Sequence, residues 1–272
     1  MRPQVATAPF EAYSGTAAEN YERYFVPAIG APLAARLLRF AALRPGDRVL
    51  DVACGTGVVA GRAAQQVGST GRVTGLDANP GMLAVAESLP GSSAIEWRES
   101  AAEQTPLGSA AYDIALCQLG LQFFADRHAA LLEVRRVLAP GGRLVANVPG
   151  PMPPLFEILQ RGIRAHLSPE IAKFMSVVFS LDDARGLEEL VGEAGFADVS
   201  VDRDPTVLRL PPPDEFLWQY VWSTPLADAV VSIDADQRDA LKRDVLAEWE
   251  PLTQDGALVL GLDVLTVTAQ RG

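Results

Sequence analysis

Cysteine, histidine and lysine are scarce in this 272-residue chain, with two of each. Cys54 and Cys117 cannot build a disulfide framework, and both fall in apolar runs that read as strand ends. A reduced, cytoplasmic setting is therefore expected, with the two thiols as small apolar fillers rather than nucleophiles. His128 and His166 stand in no His/Asp/Glu ligand spacing, which predicts no bound metal. Lys173 and Lys242 lie outside any basic run, and 23 Lys+Arg face 34 Asp+Glu for a net charge of −11. Such a surface repels a phosphate backbone, so no nucleic-acid partner is expected. No apolar stretch nears the roughly 20 residues that cross a bilayer. The opening residues lack a charged start followed by an apolar block, so neither a membrane span nor a signal peptide is expected.

Apolar residues are plentiful, at 49% of the chain, enough to bury a sizeable core without staples. From residue 48, short β-like runs alternate with helical patterns. Strands are predicted at 48–53, 72–77, 94–99, 112–120 and 143–148, and helices at 57–67, 80–89 and 127–139. Pro80 suits a first helical turn, and Asp126 suits an N-cap. Strands separated by helices on short loops predict a doubly wound, mostly parallel α/β sheet with a last antiparallel strand at 258–269. Beyond residue 148 the pattern is less regular. A helix is expected at 182–194, a strand at 196–202, and helical segments at 214–222 and 236–249. Proline-led stretches at 149–180 and 205–256 read as helical lid inserts. One domain is expected: an N-terminal helical cover (1–40), a half carrying the glycine loop (41–148) and the inserts.

The most informative segment is Asp51-Val-Ala-Cys-Gly55-Thr-Gly57, a strand running through a glycine turn into a helix, with Asp77 following Gly57 by 20 residues. In a doubly wound sheet this loop lies at the carboxyl ends of the strands, where ligands bind. Glycines let backbone approach a ligand closely, and an acid closing the next strand can accept from both hydroxyls of a ribose. A dinucleotide site uses G-x-G-x-x-G so that a pyrophosphate rests on the helix N-terminus. Here the spacing is Ala53-x-Gly55-x-Gly57, and Asp51 would repel a pyrophosphate while favouring a cation such as an α-ammonium. S-adenosylmethionine fits this pattern better than NAD.

The run VLDVACGTG…GLDANPGML…YDIALCQLGLQFF…VRRVLAPGGRLV resembles the class I S-adenosylmethionine-dependent methyltransferases, within them the type 11 group. That group includes the ubiquinone/menaquinone C-methyltransferases and many enzymes of secondary metabolism. The likeness is strong over about residues 40–150. It implies a Rossmann-like fold and the cofactor S-adenosylmethionine, released as S-adenosylhomocysteine. It further implies that Asp51, Ala53 and Gly55 surround the methionyl part and that Asp77 holds the ribose. Ala78 and Met82 would pack on the adenine, Ser100 and Ala101 would meet its edge, and Gln118 would line the methionyl end. Tyr21 would help to close the site. Two positions depart from the pattern. Ala53 replaces the usual first glycine, a modest change where φ is negative. Ser100 stands where many relatives carry Asp, and its hydroxyl accepts more weakly.

A sulfonium is already activated, so methyl transfer needs alignment and exclusion of water more than a fixed triad. A base is needed only where the receiving atom must lose a proton. His128 is the candidate catalytic base, and His166 sits in the lid stretch with Phe156 and Leu159. Tyr13, Tyr24, Gln122, Phe123, Trp218 and Trp222 are the candidate acceptor-binding residues, Trp218 and Trp222 sharing one helix face. The expected partner is a small, largely apolar methyl acceptor. Dimerisation through the inserts or the N-terminal segment is compatible with the sequence and not required by it. Two other uses of the scaffold compete: a non-methylating rearrangement or cyclisation, and non-catalytic cofactor binding.

Overall fold

A computed structural model describes residues 15–272. The helices in chain order are α1 (Ala17–Asn20), α2 (Ala31–Ala41), α3 (Val58–Val67), α4 (Pro80–Ser88), α5 (Arg127–Val137), α6 (Pro154–His166), α7 (Pro169–Val178), α8 (Ala184–Glu193), α9 (Pro213–Trp222), α10 (Leu226–Val231) and α11 (Ala235–Trp249). The strands are β1 (Arg48–Val52), β2 (Arg72–Asp77), β3 (Ile95–Glu99), β4 (Tyr112–Gln118), β5 (Leu138–Pro149), β6 (Ala197–Leu210), β7 (Thr253–Gln254) and β8 (Ala257–Gln270). They lie in the order β3-β2-β1-β4-β5-β8-β6, with β7 paired to β8. Strands β1 to β5 pair in parallel and β8 runs antiparallel to β5. This is the doubly wound sheet that the alternation predicts. Strand order reverses between β1 and β4, which places a ligand crevice at their carboxyl ends.

The chain divides into two compact units. One, formed by Gly30–Met152, Val177–Thr206 and Leu262–Gly272, holds the body of the sheet. Alternation along β4 feeds both of its faces: Ile114 and Leu116 join Val49, Val73 and Val145 under α2 and α3. Ala115 and Cys117 join Leu50, Val52 and Leu144 under α5 and α8. Helix α2, expected within the N-terminal cover, belongs to this unit and packs on β4 and β5.

The other unit takes the described residues up to Ile29, Pro153–Ser176 and Val207–Gly261. It is mainly helical. Its centre is the pair α6 and α11, which Gly162 allows to approach: a Cβ there would lie 2.6 Å from Val245 Cγ2. Trp249 Nε1 donates to the Leu155 carbonyl at 2.9 Å. Phe156, Phe216 and Trp249 surround this seam, with Tyr220 against both phenylalanines. The Asp255-Gly256 turn between β7 and β8 has positive φ at both positions, the geometry of a tight hairpin.

Several boundaries differ from expectation. Helix α5 ends at Val137, not 139, and Leu138 already pairs with Tyr112. Pro140 disfavours helix at the residue before it. Gly142 then passes so close to the Ala139 and Asp113 carbonyls, 2.8 and 3.0 Å from a would-be Cβ, that no side chain fits. Strand β4 ends at Gln118, because Leu119 turns to a φ of 52°. Strand β6 continues to Leu210, so residues 205–210 are strand rather than insert. It lies at the sheet edge, where Pro205 removes no essential donor. Helices α7 and α10 fall within the two expected helical inserts, at positions for which the pattern gives no separate segment.

Among the described residues no helix is long and apolar enough to cross a membrane. Nor is any group of three His, Cys, Asp or Glu among them placed to hold a metal ion.

Candidate functional site

The loop after β1 is built by backbone that only small residues follow easily. Ala53, Gly55 and Gly57 have φ of 54°, 55° and 87°. The negative φ expected to make Ala53 a modest change is therefore corrected: its methyl sits in the left-handed region, which disfavours any Cβ. Cys54 N–H donates to the Leu76 carbonyl at 3.0 Å and ties the loop to β2. Gly57 N–H donates back to the Cys54 carbonyl at 2.9 Å, closing the turn into α3.

Asp51, on β1, serves α3 as a cap from across the glycine loop. Gly57, the residue in the capping position, has no side chain to offer, and Asp51 Oδ2 accepts instead from Ala60 N–H at 2.9 Å. The carboxyl is 1% exposed, and its second oxygen, Oδ1, is buried with no hydrogen-bond partner. Burial pushes its pKa up to about 8, against the bond from Ala60 and helped by the nearby charge of Asp77. A cation placed at Oδ1 would relieve that cost.

Asp77 closes β2, half-buried. Its Oδ2 accepts from Gly55 N–H and its Oδ1 from Asn79 N–H, both at 2.8 Å. Asn79 in turn caps α4, accepting from Gly81 N–H at 2.9 Å. The carboxylate is thus oriented by two backbone donors with lone pairs to spare, as a diol acceptor requires. Ser100 N–H donates to the Asp77 carbonyl at 3.0 Å, which brings the end of β3 beside it. The Ser100 hydroxyl donates within its own loop to the Gln104 carbonyl at 3.0 Å, leaving its lone pairs as what it can offer an amino group. Ala78 and Ala101 are exposed and Met82 is half-buried around this end of the sheet.

Gln118, the last residue of β4, donates from Nε2 to the Gly30 carbonyl at 2.9 Å, and its Oε1 is buried without a partner. Gln122 is 2% exposed; its Nε2 donates to the Leu119 carbonyl at 2.9 Å and its Oε1 has no partner. Phe123 turns outward and is half exposed. The sheet unit therefore assembles Asp51, Ala53, Gly55, Asp77, Ala78, Met82, Ser100, Ala101, Gln118 and Gln122 at the strands' carboxyl ends. Sequence reasoning missed Asn147, fully buried near the end of β5 with neither amide atom partnered. A lone polar residue in the apolar run RLVANV was the available signal.

The other candidates are divided between the two units. His128 is exposed, and its Nε2 lies 3.4 Å from the Glu193 carbonyl at the end of α8, so its ring faces that helix and not the loop. Tyr21, Tyr24, Trp218 and Trp222 belong to the helical unit. There Tyr21 stacks on Phe25 at 4.6 Å, Tyr24 lies under the Arg23 guanidinium, Trp218 is buried and Trp222 half-buried. His166 pairs with Asp244 at 2.8 Å between α6 and α11. Tyr13 lies outside the described residues.

Residues 50–146 match the family described as "Methyltransferase domain". The chain is 34% identical over 129 residues to a 2-phytyl-1,4-naphtoquinone methyltransferase of Synechococcus elongatus, covering 46% of this chain and 55% of that protein. It thus spans about half the length of that relative. It is 32% identical over 175 residues to the ubiquinone/menaquinone biosynthesis C-methyltransferase UbiE of Rubrivivax gelatinosus, covering 60% of this chain and 68% of that protein. The crystal structure of a SAM dependent methyltransferase from Aquifex aeolicus shares the fold, with a TM-score of 0.54 at 14% identity over 95% of this chain and all of that one.

Proposed function

Because the chain belongs to the class I S-adenosylmethionine-dependent methyltransferases of the type 11 group, we propose that it methylates a small, largely apolar molecule. The observation that carries the reading is the capping of α3 by Asp51. A pyrophosphate needs the free N–H groups and positive end of such a helix. Here an acid already accepts from Ala60, so a dinucleotide meets a carboxyl where it needs donors. The same carboxyl, with Oδ1 unpartnered, suits the α-ammonium of a methionyl group.

The residues fit the cofactor throughout. Asp77 would hold the ribose hydroxyls, Asp51 the ammonium, and Ala78, Met82, Ser100 and Ala101 the adenine. When bound, S-adenosylmethionine supplies a methyl group activated by its sulfonium. The protein's part is to align the acceptor and exclude water, which requires no triad. Relatives named as a naphthoquinone methyltransferase and a ubiquinone/menaquinone C-methyltransferase support an apolar acceptor. Two free, buried thiols suit a reducing cytoplasm.

Calorimetric titration with S-adenosylhomocysteine and, separately, NAD tests the reading, with Asp77→Ala as control. Saturable binding of the first alone is expected. Losing charge-assisted bonds worth about 1.5–3 kcal/mol should weaken it at least roughly tenfold in the variant. No binding by the folded protein, or binding of NAD instead, would refute it.

A further inference from the structure

Asn147 is fully buried, and neither Nδ2 nor Oδ1 has a hydrogen-bond partner. Its neighbour across the parallel β4–β5 ladder is Gln118, directly in register. Two residues earlier on each strand, Leu116 and Val145 lie in the core under α2 and α3, so both carboxamides stand on that same face. Gln118 has committed its Nε2 to the Gly30 carbonyl, which leaves its Oε1 as a second unpartnered acceptor. On its other side Asn147 is aligned with Thr266 of β8, also buried. The pair lies at the carboxyl ends of the central strands. Asp51 of β1 aligns with Leu116, two residues before Gln118.

Buried amides without partners are costlier than apolar side chains of the same shape. Adjacent strands nevertheless present one free NH2 donor and two free carbonyl acceptors side by side. That set carries no charge. It matches an oxygen that both donates and accepts better than a carboxylate, which can only accept and would leave both carbonyl oxygens without a donor.

We propose that Asn147 and Gln118 form a neutral clamp for a hydroxyl on the methyl acceptor, making the acceptor an uncharged, apolar molecule that bears a hydroxyl group. The inference rests on the methyltransferase reading and adds to it the residues that select the acceptor. The clamp orients its guest; it neither takes nor supplies a proton.

The test uses protein saturated with S-adenosylhomocysteine and three probes: 1-naphthol, 1-naphthoate and naphthalene. Calorimetry is run on the wild type, Asn147→Leu and Gln118→Met. The wild type is expected to bind 1-naphthol at least tenfold more tightly than either other probe. Each variant should lose most of that preference, and Asn147→Leu should keep its affinity for S-adenosylhomocysteine within twofold. Asn147→Leu should melt no lower than the wild type, since it removes unpartnered polar atoms; if it fails to fold, Gln118→Met decides. A wild type that does not bind 1-naphthol, or does not prefer it, overturns the clamp. Variants that keep the preference do the same. An Asn147→Leu protein that loses S-adenosylhomocysteine in equal measure assigns the pair to the cofactor instead. Failure of the wild type to bind S-adenosylhomocysteine at all overturns the underlying reading, a result distinct from each of the others.

Discussion

The methyl of Ala53 fills the space that a side chain on Gly120 would need: a Cβ built on Gly120 comes within 2.6 Å of Ala53 Cβ and 3.0 Å of Cys117 Sγ. Gly120 itself has φ −105° and ψ −39°, which any residue adopts. The glycine is there for room, and the alanine opposite carries the unfavourable backbone, at φ 54°. Ala53→Gly should therefore stabilise the protein by about 1 kcal/mol, relief of left-handed strain exceeding the entropy of the freer unfolded chain. Gly120→Ala alone should cost about 1–3 kcal/mol through overpacking. The double variant should recover much of that loss, giving a coupling of about 1 kcal/mol or more in urea denaturation. Simple additivity of the two substitutions would show that the methyl is not what excludes a side chain at 120.

Asp51 makes both stability and ligand binding depend on pH. Its pKa is raised from an ordinary 3.8 to about 8, chiefly by burial. The folded protein therefore holds a proton there that the unfolded chain releases. The contribution to stability is greatest below about pH 4 and is lost as pH rises through about 8. Asp51→Asn should flatten this part of the pH–stability curve. An ammonium at Oδ1 favours the ionised form, so S-adenosylhomocysteine should bind more tightly as pH rises from 6 to 8 and should release a proton at pH 7. Calorimetry in buffers of different ionisation enthalpy measures that proton. No release, or tighter binding at pH 6 than at pH 8, would remove the ammonium from this carboxyl.

His128 is expected to be dispensable. A general base contributes roughly 10²- to 10⁴-fold to a rate. His128→Ala should instead change methyl transfer to any acceptor found by screening by no more than about threefold, because its ring faces the Glu193 carbonyl. The chain has two histidines, so NMR resolves this ring readily. Its resonances should stay in place when S-adenosylhomocysteine is added, and a marked displacement would bring the ring into the site.

What the sequence made legible was local. A strand, a glycine turn, a helix and Asp77 follow one another within 30 residues, and each is bounded by residues whose backbone preferences are strong. Ala53 misled because residue type alone does not reveal φ; the strained alanine becomes intelligible only beside Gly120, which lies 67 positions away. Pro205 read as the start of an insert because proline breaks a central strand, whereas β6 is at the edge and runs through it. Asn147 and Gln118 are 29 residues apart, and only the β4–β5 register makes them neighbours. Resemblance singled out Gln118 as a candidate, and it did not do so for Asn147.

Trp97 separates two reasons for glycine near the loop. A Cβ on Gly57 would lie 2.5 Å from Trp97 Cη2, and one on Gly75 would lie 2.5 Å from Trp97 Cε3 and Cζ3. Gly57 also has φ 87°, which a side chain disfavours on its own, whereas Gly75 has no such backbone constraint. Gly75→Ala and Gly57→Ala should each destabilise the fold, by about 1–3 kcal/mol for the overlap alone. Shortening the indole as Trp97→Leu should rescue Gly75→Ala in large part, the remaining tight contact being Cys54 Sγ at 3.1 Å. It should leave Gly57→Ala about 1–2 kcal/mol short, the strain of a left-handed alanine. Urea denaturation of the three single variants, the two double variants and the wild type measures both differences. Equal rescue at 57 and 75 would mean that the indole alone demands glycine at both positions, and that the turn into α3 would accept alanine.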